Sequence, residues 1–314
     1  MSRDTSILSG KWGWVWDLSS YPSGIQGVIT DAKLMGYHGL IIKAADGATV
    51  WTQLAESIKP VRDAGLEIGA WTYCYGDDVA GEAKAAIAAL DSGASFVSLD
   101  VENQYANKKA AAIQMGQLLR QSKPDAVIAF SPWCFVNESV WATVPYAEFA
   151  KFCDAIQPQN YWSDYGPTVD VGLKQSDAEL KQFNLPIYPI GQTYAGTTYT
   201  PIASDYTLFE QTCHSLNYEG VSFWRMGTET PAMKKAVSNM FFSVFIPPIT
   251  VPPVANTPDT WAQSAWQKAL DVKLIVGDSK GVNPSAVVTL EQLAVFFDRA
   301  GILDEMRRTQ TTGK

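Results

Sequence analysis

Leu66-Glu67-Ile68-Gly69-Ala70-Trp71-Thr72-Tyr73-Cys74-Tyr75-Gly76 is a run of β-branched, aromatic and small residues. An amphipathic segment, Val79 to Gly93, follows it, and then a second such run, Ser95-Phe96-Val97-Ser98-Leu99-Asp100-Val101-Glu102. Strand, helix and strand in that order, with a connection far too long for a hairpin, make a parallel β/α unit. The same alternation extends to both sides of this unit. Between Trp12 and Ser243 it repeats about eight times, with further strands predicted at Trp12–Ser19, His38–Ala45, Ala126–Cys134, Ala155–Trp162, Ile187–Tyr194 and Val221–Met226. The intervening segments, among them Gly24–Gly36, Thr49–Gly65, Lys108–Lys123, Asp170–Phe183 and Asp205–Tyr218, place apolar residues at three- and four-residue spacing. Gly36, Gly65 and Gly93 stand where a left-handed C-cap ends a helix. So many consecutive units predict an α/β fold, a closed (β/α)8 TIM barrel, because closure removes both sheet edges. Chemistry in that architecture sits at the C-terminal ends of the strands.

Composition narrows the function. The 314 residues are 46% hydrophobic and 18% charged, which supports a large packed core. With 24 Lys+Arg against 32 Asp+Glu the net charge is -8 and no long basic run exists, so nucleic acid is excluded as the main partner. The 11 Trp and 13 Tyr are a heavy aromatic load, suited to filling a core or to stacking on sugar rings. No apolar run reaches the roughly 18 residues of a membrane span. The segment from Met1 to Trp12 lacks the basic start and apolar stretch of a secretory signal. Cys74, Cys134, Cys153 and Cys213 lie far apart and only His38 and His214 accompany them, so the expectation is reduced, buried thiols with no metal and no other cofactor.

Beyond the barrel, expected over 1–245, the run Ile246-Pro247-Pro248-Ile249-Thr250-Val251-Pro252-Pro253-Val254 reads as a stiff extended linker over 246–258. Residues 259–314 hold two helical patterns around the turn-rich Gly277-Asp278-Ser279-Lys280-Gly281. A segment this short makes a marginal core alone, so it is expected to use a partner surface: the barrel, a cell envelope, or self-association through 259–306.

Strand ends supply the chemistry. The period of two puts Asp100 and Glu102 on one side of their strand, one pleat apart. Crowded like charges and burial raise one carboxyl above its neighbour, the division of labour that glycoside hydrolysis needs. Asp17, in Trp16-Asp17-Leu18-Ser19-Ser20, is a third acid at the same end, with capping of the next helix as its competing role. Lys43, Trp71, Tyr73, Tyr75, Gln159, Tyr161, Gln192, Tyr194, Trp224 and Arg225 complete an inventory of hydroxyls, amides and rings that fits a saccharide. No G-x-S-x-G and no strand-end histidine support a serine triad, and no glycine-rich turn marks a phosphate site.

These residues resemble glycoside hydrolase family 25, the barrel lysozymes of bacteria and phages. Asp17-Leu18-Ser19, Gly39-Leu40-Ile41-Ile42-Lys43-Ala44-Ala45-Asp46-Gly47, Ala64-Gly65-Leu66-Glu67-Ile68-Gly69-Ala70-Trp71-Thr72-Tyr73 and Leu99-Asp100-Val101-Glu102 are similar to that family's first four strand ends, over the first half of the barrel. The resemblance implies Glu102 as general acid, Asp100 as its partner and Asp17 in the same cleft. The second half departs: Phe223-Trp224-Arg225-Met226-Gly227 stands where a further aspartate is usual. Gln159-Asn160-Tyr161-Trp162 and Gly220-Val221-Ser222-Phe223-Trp224 look more like family 18 chitinases, which implies a substrate-assisted route with Asp100 and Tyr161 orienting an acetamido group. Residues 261–292 are similar to one S-layer-homology repeat. Together the likenesses imply an endolysin-like hydrolase of the peptidoglycan glycan, held in a host cytoplasm or virion before it meets the wall. The alternatives are a phage protein that binds envelope glycan without cutting it, and an N-acetylglucosaminidase acting on another polymer such as chitin.

Overall fold

The computed structural model describes residues 3–166 and 168–243; the linker and the C-terminal module expected at 246–258 and 259–314 lie outside the described residues. The barrel strands are β1 (Gly10–Val15), β2 (Gly39–Asp46), β4 (Glu67–Cys74), β5 (Phe96–Val101), β6 (Val127–Ser131), β7 (Ala155–Ile156), β8 (Ile190–Gln192) and β9 (Gly220–Trp224). They pair in parallel in the order β7-β6-β5-β4-β2-β1-β9-β8. Bridges Ile156↔Ile187 and Gln159↔Ile190 join the two ends of that order and close the barrel. Helices α1 (Gly24–Leu34), α2 (Gln53–Asp63), α3 (Val79–Asp91), α4 (Lys109–Ser122), α5 (Tyr146–Ala150), α6 (Val169–Leu180), α7 (Ala203–Ser215) and α8 (Pro231–Asn239) follow the strands in turn. Among the described residues no helix is long and apolar enough to cross a membrane.

Three departures from the predicted elements have local causes. The expected helix at Thr49–Gly65 starts only at Gln53, because Thr49 and Val50 (β3) turn back and pair antiparallel with Asp46 and Ala45. Gly47, at φ 56°, supplies the left-handed residue of that Asp-Gly hairpin. The long strands expected at Ala155–Trp162 and Ile187–Tyr194 shrink to β7 and β8, since Pro158, Pro186 and Pro189 have no N–H for a ladder. Their carbonyls still accept, from Ile190, Ile156 and Ser222 respectively, so the wall stays continuous.

Two packed regions result. Between strands and helices lies the larger core, which takes Cys74, Cys134, Cys153 and Cys213; all four are free and buried, and burial pushes each thiol well above its ordinary pKa. Inside the barrel, Trp12, Trp14, Ile41, Trp71, Phe96, Tyr188 and Ile190 form the second, above Leu8. Gly39 and Gly69 make room for it. A Cβ at Gly39 would lie 2.3 Å from the Trp12 ring, and one at Gly69 2.3 Å from the Phe96 ring.

On the outer face of β1, the Lys11 ammonium donates to the carbonyls of Met35 at 2.9 Å and of Val237 and Met240 at 2.8 Å. It thus closes the C-terminal ends of α1 and α8, where a cation is favoured. Lys11→Met keeps the apolar stem but strands three carbonyls; urea unfolding should show a loss of about 2–4 kcal/mol.

Candidate active site

The inward residues at the tops of the strands form one polar layer over the rings. Parallel register sets Tyr73 beside Asp100 and Asp100 beside Ser131, across β4, β5 and β6. Gln159, just beyond β7, is held level with them by its pairing with Trp133 and Ile190. Its Nε2 donates to Asp100 Oδ1 at 2.9 Å, to Glu102 Oε1 at 3.3 Å and toward the Ser131 carbonyl at 3.4 Å. The Tyr73 hydroxyl donates to Glu102 Oε2 at 3.2 Å. One amide therefore clasps both carboxyl groups, and a phenol fixes the outer one from the other side.

Depth separates the two acids. Asp100 is only 6% exposed, whereas Glu102 is half-buried at the mouth. Burial first, and then the charge of Glu102, push the Asp100 carboxyl well above its ordinary range, against the pull of Lys43 and Gln159. The deeper carboxyl is thus the one held above its ordinary range, and the outer one, Glu102, faces the mouth. Tyr73 and Tyr161 are likewise raised, chiefly by burial, and stay as neutral hydroxyl groups.

Lys43 is 3% exposed and bonds Asp46 at 2.6 Å, with its ammonium 4.5 Å from the Trp51 ring centre, 4.9 Å from Trp71 and 5.9 Å from Trp16. Asp46 also accepts from the Tyr75 hydroxyl at 2.8 Å. Burial acts to raise the Asp46 carboxyl, but the Lys43 and Tyr75 bonds outweigh it and hold the group below its usual value. Trp71 is a floor residue: it donates to the Val15 carbonyl at 2.9 Å and meets the Trp224 ring edge-on at 5.3 Å.

The other predicted residues divide. Tyr161 packs edge-on to Tyr194 at 5.8 Å, and the Tyr194 hydroxyl donates to Asp164. Gln192 is fully buried, donating to Ser163 Oγ at 2.6 Å and to the Tyr194 carbonyl at 3.0 Å, so it braces the segment that carries Tyr161. Arg225 lies with its guanidinium carbon 4.3 Å from the centre of the Trp16 ring. Asp17 accepts from the Ser19 N–H at 2.8 Å and caps the short turn Leu18–Ser20, whereas the next predicted helix, α1, begins after Ser23. No hydrogen bond or ion pair joins Asp17 to Asp100 or Glu102 among the described residues; the cation it acts on is Arg225.

Two residues at the mouth were not singled out in the sequence. Trp16 continues the Trp12, Trp14 alternation, and that period of two was the signal for it. Trp51 enters only through the β2–β3 hairpin, which the helical pattern hid.

The raised Asp100 carboxyl has a thermodynamic consequence. Between an ordinary carboxylate pKa of about 4 and its own higher one, the folded protein binds more protons than the unfolded chain, so stability falls as pH rises through that window. Asp100→Asn removes the titration while its amide oxygen still accepts from Gln159. Thermal melts should show a gain of a few degrees at about pH 7 and none at about pH 3.

No known family's sequence profile matches the chain, and no curated protein sequence matches it. Solved structures do share its fold. A chitinase from Chromobacterium violaceum aligns at 11% identity with a TM-score of 0.57, over 73% of this chain and 98% of the other. The spore cortex-lytic enzyme SleL of Bacillus megaterium aligns at 8% identity and a TM-score of 0.57, over 78% and 76%. An endo-β-1,4-mannanase from Thermotoga petrophila aligns at 12% identity and a TM-score of 0.54, over 69% and 68%.

Proposed function

We propose that this chain is a glycoside hydrolase that cuts an envelope glycan, with peptidoglycan as the substrate class, Glu102 as general acid and Asp100 as its partner. The observation behind this reading is the carboxyl pair at the end of β5, clasped by one Gln159 amide, with its deeper member pushed above its ordinary range by burial and its outer member open to the mouth. The neighbours' names, chitinase, mannanase and spore cortex-lytic enzyme, support a glycan as the thing cut.

A sugar entering the mouth meets Glu102 first, because Glu102 is the outer member of the pair. Glu102 then donates to the glycosidic oxygen as an oxocarbenium-like centre forms. Asp100 and the Tyr161 hydroxyl orient a substrate acetamido group or stabilise the developing charge. Tyr73 and Gln159 keep Glu102 aimed throughout.

Reducing-end release from purified, de-peptidated wall glycan tests the assignment. Glu102→Gln should lower the rate about 10²–10⁴-fold with an unchanged thermal melt, and Asp100→Asn should lower it while raising the melting temperature. Retained release by Glu102→Gln would remove that residue from the acid's role. A second reading, binding without cutting, is favoured by the end of β9, where Trp224 and Arg225 stand and no carboxylate does. Its signature is co-sedimentation of the unaltered protein with walls and no reducing ends.

A further inference from the structure

Arg225 is a mouth cation that the chemistry above leaves unused. It follows Trp224 at the end of β9, and β9 is four strands from β5 whichever way the barrel is travelled, so Arg225 stands across the mouth from Asp100 and Glu102. Its guanidinium carbon lies 4.3 Å from the Trp16 ring centre and 6.0 Å from that of Trp224, and Trp16 is itself 42% exposed. Flat rings therefore hold the guanidinium. Among the described residues its N–H groups donate no hydrogen bond and it joins no ion pair.

The carboxylates whose charge reaches it do not bond it, and Glu229 Oε1 is buried without a hydrogen-bond partner. Asp17 and Glu229 both act on Arg225 at a distance, but Asp17 accepts from the Ser19 N–H at 2.8 Å and Glu229 from the Gly227 N–H at 2.6 Å. The other cations near the mouth are satisfied: Lys43 by Asp46, and Lys108 by Asp77 and the Tyr75 carbonyl. An immobilised planar fork with undirected donors is built to read a planar anion, and guanidinium fits a carboxylate with two parallel bonds.

We infer that Arg225 binds a carboxylate carried by the glycan, so that the substrate class is an acidic polysaccharide whose acid group lies across the mouth from the bond cut at Glu102. The inference rests on the proposed use of this mouth for a glycan. Two sources share the chemistry: an acid built into the ring, as in a uronic acid, and the lactyl acid of a peptide-free muramic residue. Neutral polymers lack both.

Binding tests this apart from catalysis. Calorimetric titration of the Glu102→Gln protein would use a glucuronate-containing oligosaccharide, a peptide-free peptidoglycan glycan strand, and each of these after conversion of its carboxylates to neutral amides. At least one acid ligand should bind about ten- to a hundredfold more tightly than its own amide, and which one does so identifies the source. Adding Arg225→Gln should abolish that ratio, and an unchanged thermal melt shows that the fold is intact. Arg225→Lys, which keeps the charge and loses the fork, should retain a reduced ratio. Equal affinity for acid and amide, a ratio that survives Arg225→Gln, or no binding of either acid ligand would overturn the inference. Failure of the hydrolase reading shows differently: tight, Arg225-dependent binding of the acid ligand with no reducing ends released by the unaltered protein.

Discussion

Indole and phenyl rings fill the inside of this barrel, and that packing decides where its polar chemistry can be. Trp12, Trp14, Trp71 and Phe96 are almost wholly buried in the inner core. At native packing density they leave little room for water, so an inward carboxylate among them would have neither solvent nor partner. The inward acids accordingly stand at the tops of the strands. Asp100 sits on the boundary: deep enough for burial to raise its carboxyl, high enough for Gln159 to reach both it and Glu102.

The same rings have polar edges that must also be satisfied. Trp12 donates to the Ser9 carbonyl at 3.0 Å, Trp14 to Ser222 Oγ at 2.9 Å and Trp71 to the Val15 carbonyl at 2.9 Å, which fixes the floor against the wall of β1 and β9. On its upper side the floor meets cations. Trp71, with Trp51 and Trp16, surrounds Lys43, and Trp16 continues outward beneath Arg225. Packing and electrostatics are thus carried by one set of side chains. The two cations differ in their pairing: Lys43 is ion-paired with Asp46, and Arg225 has no bonded counterpart among the described residues.

Much of this was legible in the chain. The alternation of strand and helix patterns read as a barrel, and the barrel is what forms. The period of two placed Asp100 and Glu102 together on one face, and both are reached by the same Gln159 amide. Hidden features had competing local signals: the Asp46-Gly47 hairpin lay inside a helical pattern, and prolines cut short two strands that hydrophobicity alone extended. Asp17 offered two roles at once, and one of its carboxylate oxygens accepts from the neighbouring Ser19 N–H.

The side chains Gln159 and Gln192 show where reading along the chain stops. Both sit at strand ends and either could face a sugar, yet one clasps the two acids while the other braces Ser163. By itself the sequence determined the architecture and which residues share a face, because periodicity is a property of neighbours along the backbone. Only the tertiary structure decided which donor meets which acid and which acid lies deep enough for burial to raise it. Gln159 lies 59 residues from Asp100 and 57 from Glu102, and their meeting follows from the register of strands brought together by barrel closure, which also sets the depth of burial that pushes the Asp100 carboxyl above its ordinary range.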